Sequence, residues 1–486
     1  VSLALACIVL IVPLAAALLC LAVRSPRAAE AINLLASLVT AAAALPLPFL
    51  AEPARIGLAG YLVVDPLGAW VVLCAALVYL LASLYAVGYM RLLGEPRRLM
   101  RFYALFAAFA WTTLAAPLMN NAGVYWIAVE LTTLVSTFLV GFEHAPESIE
   151  AAWKYIVVVS AGISLALLGT VLFYWAGTAA LGPHYDMTWG TLGGVAAQMN
   201  PTLATLSFLL VLVGYGTKAG LAPMHTWLPD AHSEGPAPVS ALLSGALLNT
   251  ALLGIVRYKS VAEQAGAGAV PRTALITLGV LSLLIAALFI VRQQGVKRLM
   301  AYSSVEHMGV MALGFGFGGA LGVAGALYHM LNHALNKSLM FFGAGAMMRA
   351  YGTKEMTGIH RVGTHFPFVG TLWLAGAIAI TGAPPFGLFL SELAILRAGF
   401  TPADAWAVAI MLVLLVVIFA GFLNHFRIMY FREAAAVVPQ TRAAGFWCSL
   451  AMLLAGIPLL VLGLWWPAAF TTVFHAANAA LMQGMP

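Results

Sequence analysis

The sequence has 486 residues, 63% of them hydrophobic and 8% charged, with a mean hydropathy of +0.98. Soluble domains carry about a quarter charged residues, so this composition excludes one and points to an integral membrane protein. A net charge of +6 does not argue for nucleic acid, because the basic residues lie in short loops and not in one patch. The four cysteines (Cys7, Cys20, Cys74, Cys448) fall in apolar runs without a CxxC pair, which speaks against disulfides and cysteine-held metal.

A membrane span needs about 20 apolar residues. On that measure fourteen candidates follow in order: near 2–23, 29–50, 62–90, 101–119, 122–141, 151–176, 202–222, 237–257, 271–291, 299–317, 320–348, 366–396, 404–430 and 444–470. The first has no basic start and is too long an apolar run for a cleavable signal, so it reads as a span. The stretches 320–348 and 366–396 are long enough to be bent or two-part. The longest connection, 177–201, reads as an ordinary outer loop. With both termini outside, the inner loops hold 16 Lys and Arg, including Lys154, Lys297 and Arg442, against 5 in the outer loops, including Arg257. Basic residues favour the inner side, so the bias supports both the orientation and the count.

Lys218 and Lys337 fall inside spans. A lysine in lipid costs roughly 2.5–3.5 kcal/mol on insertion scales, which marks both as functional. Lys218 is followed by GLAPMHTW, and a second interrupted span, TGAPPFGLFLSE, ends at Glu392. Proline removes a backbone donor and breaks the helix ladder. Two interrupted spans in two halves of a chain suggest inverted repeats around an ion site.

Glu130, in VYWIAVELTTLVS, is costly in lipid unless protonated or paired, and Lys218 is the expected partner; a static pair knitting two spans is the bland alternative. His329, His333 and Lys337 recur at i, i+4 and i+8, hence on one helix face, flanked by Asn332 and Asn336. Such a ladder can pass protons through short water bridges; a zinc site on the two histidines lacks the Glu of HExxH, and a hydrogen-bonding stripe is the structural rival. Glu306 and His307 are expected near the inner surface, either taking up protons or bonding backbone at a bent helix. Glu392 suits a proton exit. His225, Asp230, His232 and Glu234 are expected in an inner loop, solvated or pinning it, with proton uptake as the sharper reading.

Those blocks carry a resemblance. Glu130, TKAGLAPMHTWLPDAHSEGPAPVSALLSG (217–245), RLMAYSSVEHMG (298–309), HMLNHALNKS (329–338) and PPFGLFLSE (384–392) are similar to the antiporter-like subunits of respiratory complex I, Mrp-type antiporters and membrane-bound energy-converting hydrogenases. VEHMG and LLSGALLNT look most like the F subunit of hydrogenase-4 and formate hydrogenlyase-type complexes. The resemblance implies an all-α integral membrane protein of about fourteen transmembrane helices, with two inverted five-helix repeats, broken helices 7 and 12, and a central proton-translocating axis. Residues 1–100 would form an N-terminal three-helix segment, 101–260 the first repeat, 261–430 the second and 431–486 the last helix. The chain departs from the complex I pattern at Asn249, where a titratable lysine or histidine is usual, and it ends too soon for the long lateral helix of one subunit type.

The implied function is a proton-translocating membrane subunit of a redox-driven complex, with Glu130 and Lys218 as a charge-pair switch, Asn249 in the path, and His329, His333, Lys337 and Glu392 beyond it. No haem, flavin or cluster motif is present, so no cofactor is expected on this chain and electron transfer falls to partners: other membrane subunits and a peripheral redox arm. The expected location is a prokaryotic inner (plasma) membrane with both termini periplasmic. The alternatives are a Mrp-type Na+ or K+/proton antiporter subunit, an ion-flux subunit of an inorganic-carbon uptake complex, and a scaffold whose charges merely knit helices.

Overall fold

The computed structural model of the chain describes residues 1–51, 54–92, 96–433 and 445–483; Arg442, one of the expected inner-loop cations, lies outside them. Among the described residues, eleven helices are long and apolar enough to cross a membrane. Three further stretches expected as spans are helical: Val296–Phe317, Gly319–Tyr351, and the divided pair Pro367–Ile380 and Gly387–Ala398. These three and the broken segment Pro201–Glu234 carry most of the buried titratable residues.

The 33-residue helix Gly319–Tyr351 is unbroken, although the sequence allowed a bend, and it forms the hub. It packs on Val296–Phe317, Gly387–Ala398, Pro66–Arg91 and Phe446–Leu464. Its neighbour Pro66–Arg91 is tied to it by Trp70 Nε1 donating to the Leu327 carbonyl (2.8 Å) and Tyr85 OH donating to that of Phe342 (2.9 Å). A helix polar on several sides is tolerable in lipid only when protein surrounds it, and here nearly every residue from Gly325 to Met347 is buried.

Both expected breaks are present. The helix Pro201–Ala219 stops at Gly220 and resumes as Trp227–Glu234; Pro367–Ile380 stops near Gly382 and resumes as Gly387–Ala398. Gly220 (φ +76) and Gly382 (φ +67) hold left-handed conformations that a side chain would strain. Each lies three residues before the proline of a cis peptide bond, Ala222–Pro223 and Pro384–Pro385.

Element bounds and connections depart from the sequence reading in four places. The start of the 62–90 span is not helical: Leu62–Val64 pairs antiparallel with Arg55–Gly57, and the helix begins at Pro66 behind an Asp65 cap. The 177–201 connection contains a helix, Trp189–Val195, with Trp189 Nε1 donating to the Met119 carbonyl (2.9 Å). Arg257, expected in an outer loop, is fully buried and paired with Asp65 (2.5 Å), because the helix beginning at Leu248 runs on to Gln264. After the Phe446–Leu464 helix, Ala468–Gln483 lays Phe470 and Phe474 against Trp70 and Tyr328, anchoring the chain's end to the hub.

Candidate functional site

Lys218 lies in the last turn of Pro201–Ala219, where the break exposes the end of the ladder. Its ammonium donates to the Val129 carbonyl (3.0 Å) and, by a shorter contact, to Thr133 Oγ1. Both acceptors belong to the helix Ala122–Val140, one turn apart on one face. Glu130 on the same helix accepts from Ser160 Oγ (2.7 Å) and Thr133 Oγ1 (3.3 Å). The expected Glu130–Lys218 pair is therefore indirect: Thr133 touches both, and the described ion pairs include none between them. Glu130 is only partly buried, so this end of the site opens at the lateral surface among exposed Ile127, Leu134 and Trp153.

Asn249 follows a wide, π-helical turn, Leu243–Leu247. Its amide donates to the Gly245 carbonyl (2.9 Å), while its Oδ1 has no protein partner. The same turn meets the second half: Ser244 and Ser304 hydroxyls are 2.8 Å apart, and a side chain on Gly245 would meet the Ala334 carbonyl. π-turns are frequent at functional sites because they open the ladder.

In the second half, Lys337 donates to the Met300 carbonyl (3.1 Å) and to Ser303 Oγ. His329, His333 and Lys337 do share the face turned to Val296–Phe317. His307 Nδ1 and His329 Nε2 are 2.9 Å apart, and His329 Nδ1 lies 2.9 Å from Ser391 Oγ on the far side of the second break. The His333 ring centre is 5.4 Å from that of His307. Of the flanking amides, Asn336 donates to the Gly376 carbonyl (2.9 Å), and Asn332 fills the space left by Gly387. Glu392 sits against Gly382, where a Cβ would lie 1.9 Å from its Oε2.

Glu306 and His307 were expected near the inner surface; they lie half-way along their helix and are buried at 1% and 0% exposure, so they belong to the interior cluster. His225 and His232 are likewise not solvated. His225 lies in the turn between the two helix segments and His232 in the resumed helix Trp227–Glu234, at 7% and 0% exposure. Loop pinning does describe Asp230, which accepts from Lys154 (3.3 Å) and Arg298 (2.8 Å), and Glu234, which accepts from Lys354 (2.7 Å).

Unpaired buried polar atoms are rare in proteins, yet they are concentrated here: both Glu306 oxygens, both His333 nitrogens, His307 Nε2 and Glu392 Oε1. A single static pair does not need this many open donors and acceptors; a relay exchanging protons through water does. His307, His329 and Glu392 also present ligand atoms within 4.8 Å of one another. The Lys337 ammonium interacts electrostatically with both histidines, and a cation beside it disfavours a divalent metal. Lys297 was assigned to a loop by its place in a basic run, KR, and nothing in the sequence distinguished it from its solvated neighbours. In the structure it is 4% exposed, with its ammonium on the Ser233 carbonyl (3.0 Å) and, more closely, that of Gly235.

Residues 120–423 match the family described as NADH:quinone oxidoreductase/Mrp antiporter, TM. A hydrogenase-4 component F homolog of Methylacidiphilum infernorum is 40% identical over 63% of this chain, which spans 64% of that relative's length. Among solved structures, a chain of the membrane-bound sulfane sulfur reductase, an archaeal respiratory membrane complex, superposes with TM-score 0.87 at 24% identity, covering 98% of this chain and 97% of that one. A chain of the Mrp complex from Dietzia sp. DQ12-45-1b does so with TM-score 0.86 at 20% identity, over the same shares. The last two establish a shared fold, and the family match extends over the lysines, the histidine cluster and both breaks. The protein is a multi-pass membrane protein and belongs to the NADH:quinone oxidoreductase/Mrp antiporter transmembrane family.

Proposed function

We propose that this chain is a proton-translocating subunit of a redox-driven membrane complex of the energy-converting hydrogenase or complex I type. The observation that carries the reading is the polar series that runs inward from the partly buried Glu130 through Thr133, Lys218 and Asn249 to Lys337, the three histidines and Glu392. The 40% identity to a hydrogenase-4 component F homolog supports the choice of complex.

In this reading a proton held on Lys218 is stabilised when Glu130 is charged and destabilised when that charge is withdrawn, and Thr133 links the two. Release passes protons toward the Lys337 cluster, and Glu392 delivers them outward. The partial exposure of Glu130 supports a membrane partner at that surface, through which the redox arm acts. Flavins, haems and clusters belong to those partners. The basic loops lie on the inner face of a prokaryotic plasma membrane, with both termini periplasmic.

The test is Lys218→Ala in the assembled complex, with acidification of inverted membrane vesicles followed during turnover. Loss of proton accumulation with assembly retained is expected; full coupled pumping refutes the reading. Similarity to the Mrp chain supports a second reading, exchange of Na+ or K+ for protons, which predicts pH changes in the same vesicles on adding sodium without redox substrate.

A further inference from the structure

At the end of the molecule bearing Tyr89, Glu143, Glu234 and Arg349, a cavity of about 330 Å³ opens between the two halves. Its rim is charged: Lys354 pairs with Glu234 (2.7 Å) and Arg349 approaches Glu143 (4.0 Å). Its floor is Lys297 with Ser233 and Gly235. The Lys297 ammonium is thus buried beneath a solvent-open cavity, hydrogen-bonded to two carbonyls at the end of the Trp227–Glu234 helix.

One residue further in along that helix is His232, fully buried, with its ring against the Leu228 backbone of its own helix and no other hydrogen-bond partner among the described residues. It interacts electrostatically with Lys297 and with Lys337, and His333 interacts with it in turn. Its ring packs on Phe341, one helical turn beyond Lys337. A neutral imidazole can accept on one nitrogen and donate on the other, which lets it hand on a proton without keeping a charge.

We propose that this cavity is the mouth through which protons enter the second half, with Lys297 as the first buried carrier and His232 as the link to His333 and Lys337. The inference rests on the proposed function and adds an intake to it. This route meets the axis beyond Asn249, a side chain that cannot carry a proton. The His329–His333–Lys337 cluster is then supplied from the inner side whether or not protons cross Asn249.

A purely structural role for Lys297 also exists, as the clamp on two helix-end carbonyls. Lys297→Arg separates the two, since arginine keeps the charge and the donors but does not release its proton. In vesicles carrying the assembled complex, Lys297→Arg is expected to cut proton accumulation per turnover by roughly ten-fold; wild-type pumping overturns the proposal. As a second arm, Met348→Cys places a thiol on the cavity wall. Unlabelled it should pump normally, and a cationic methanethiosulfonate should block it; labelled protein that pumps at full rate overturns the proposal, including where Lys297→Arg does not assemble. Lys218→Ala is run in parallel. Loss of pumping there with full pumping in both cavity variants removes the intake and leaves the proposed function standing, whereas full pumping in all three removes both.

Discussion

Lys218 donates to the Val129 carbonyl and the Thr133 hydroxyl of one neighbouring helix, and Lys337 to the Met300 carbonyl and the Ser303 hydroxyl of another. Both ammoniums therefore rest on one main-chain and one side-chain oxygen, with no carboxylate in contact. What surrounds them differs. Lys218 has one carboxylate nearby, Glu130, which is partly exposed and hydrogen-bonded. Lys337 has three buried histidines and two buried carboxyls with open positions. The neutral nest keeps a buried cation tolerable without locking it to a partner; a direct buried pair is strongly destabilised when one member is neutralised. On the proposed function, the first half is built to be biased from outside the chain, and the second to hold and pass protons.

The largest expected effects test whether the halves act in series. If they do, Lys218→Ala and Lys337→Ala each abolish coupled proton accumulation in vesicles, and the double variant is no worse than either single. Two independent channels would instead leave about half the pumping in each single variant. The comparison would then describe two separate devices.

Next come the two breaks. Alanine at either Gly220 or Gly382 places a side chain at positive φ, which costs on the order of 1–3 kcal/mol. The new methyl at Gly220 would meet the flexible end of Leu228, which can rotate away, but at Gly382 it would meet Glu392 Oε2 at 1.9 Å. Both variants should lower the melting temperature in detergent. Only Gly382→Ala should also lose most of the pumping, and equal losses would show that Glu392 is not held in place by that contact.

Smaller again is loss of one nest hydroxyl. Hydrogen bonds to charged groups contribute about 1.5–3 kcal/mol, so Thr133→Val and Ser303→Ala should each destabilise the folded protein by an amount within that range. Thr133 also touches Glu130, so Thr133→Val should slow pumping more than Ser303→Ala. The reverse order would mean that the Glu130–Lys218 linkage does not run through this hydroxyl.

The spans and both breaks were legible because apolar length and Gly/Pro chemistry are local. The histidine face was legible for the same reason, since i, i+4, i+8 spacing survives any packing of an unbroken helix. What was not legible depends on the tertiary fold. A charge at a span edge reads as a loop residue, so Lys297, Arg257 and His232 read as loop residues, when neighbouring helices bury them. Opposite charges in lipid invite a direct pair, and only the register between Ala122–Val140 and Pro201–Ala219 shows Thr133 standing between Glu130 and Lys218.

The smallest expected effect concerns the clamp that joins the halves at the loop end. Asp230 accepts from Lys154 of the first half and Arg298 of the second, and both cations are about half exposed, at 50% and 45%. Exposed pairs contribute little to stability in water, and Lys154 keeps Glu150 as a partner (2.6 Å) when Asp230 is lost. Lys154→Ala and Arg298→Ala should therefore melt and pump as the unmodified protein does. Asp230→Asn, which removes both links at once, should show a small loss of melting temperature with pumping intact. Asp230 lies two residues before His232 on the helix that reaches into the axis. A pumping defect in Asp230→Asn without a stability defect would mean that this clamp sets the position of His232, and that the two halves are coupled at the surface as well as through their buried lysines.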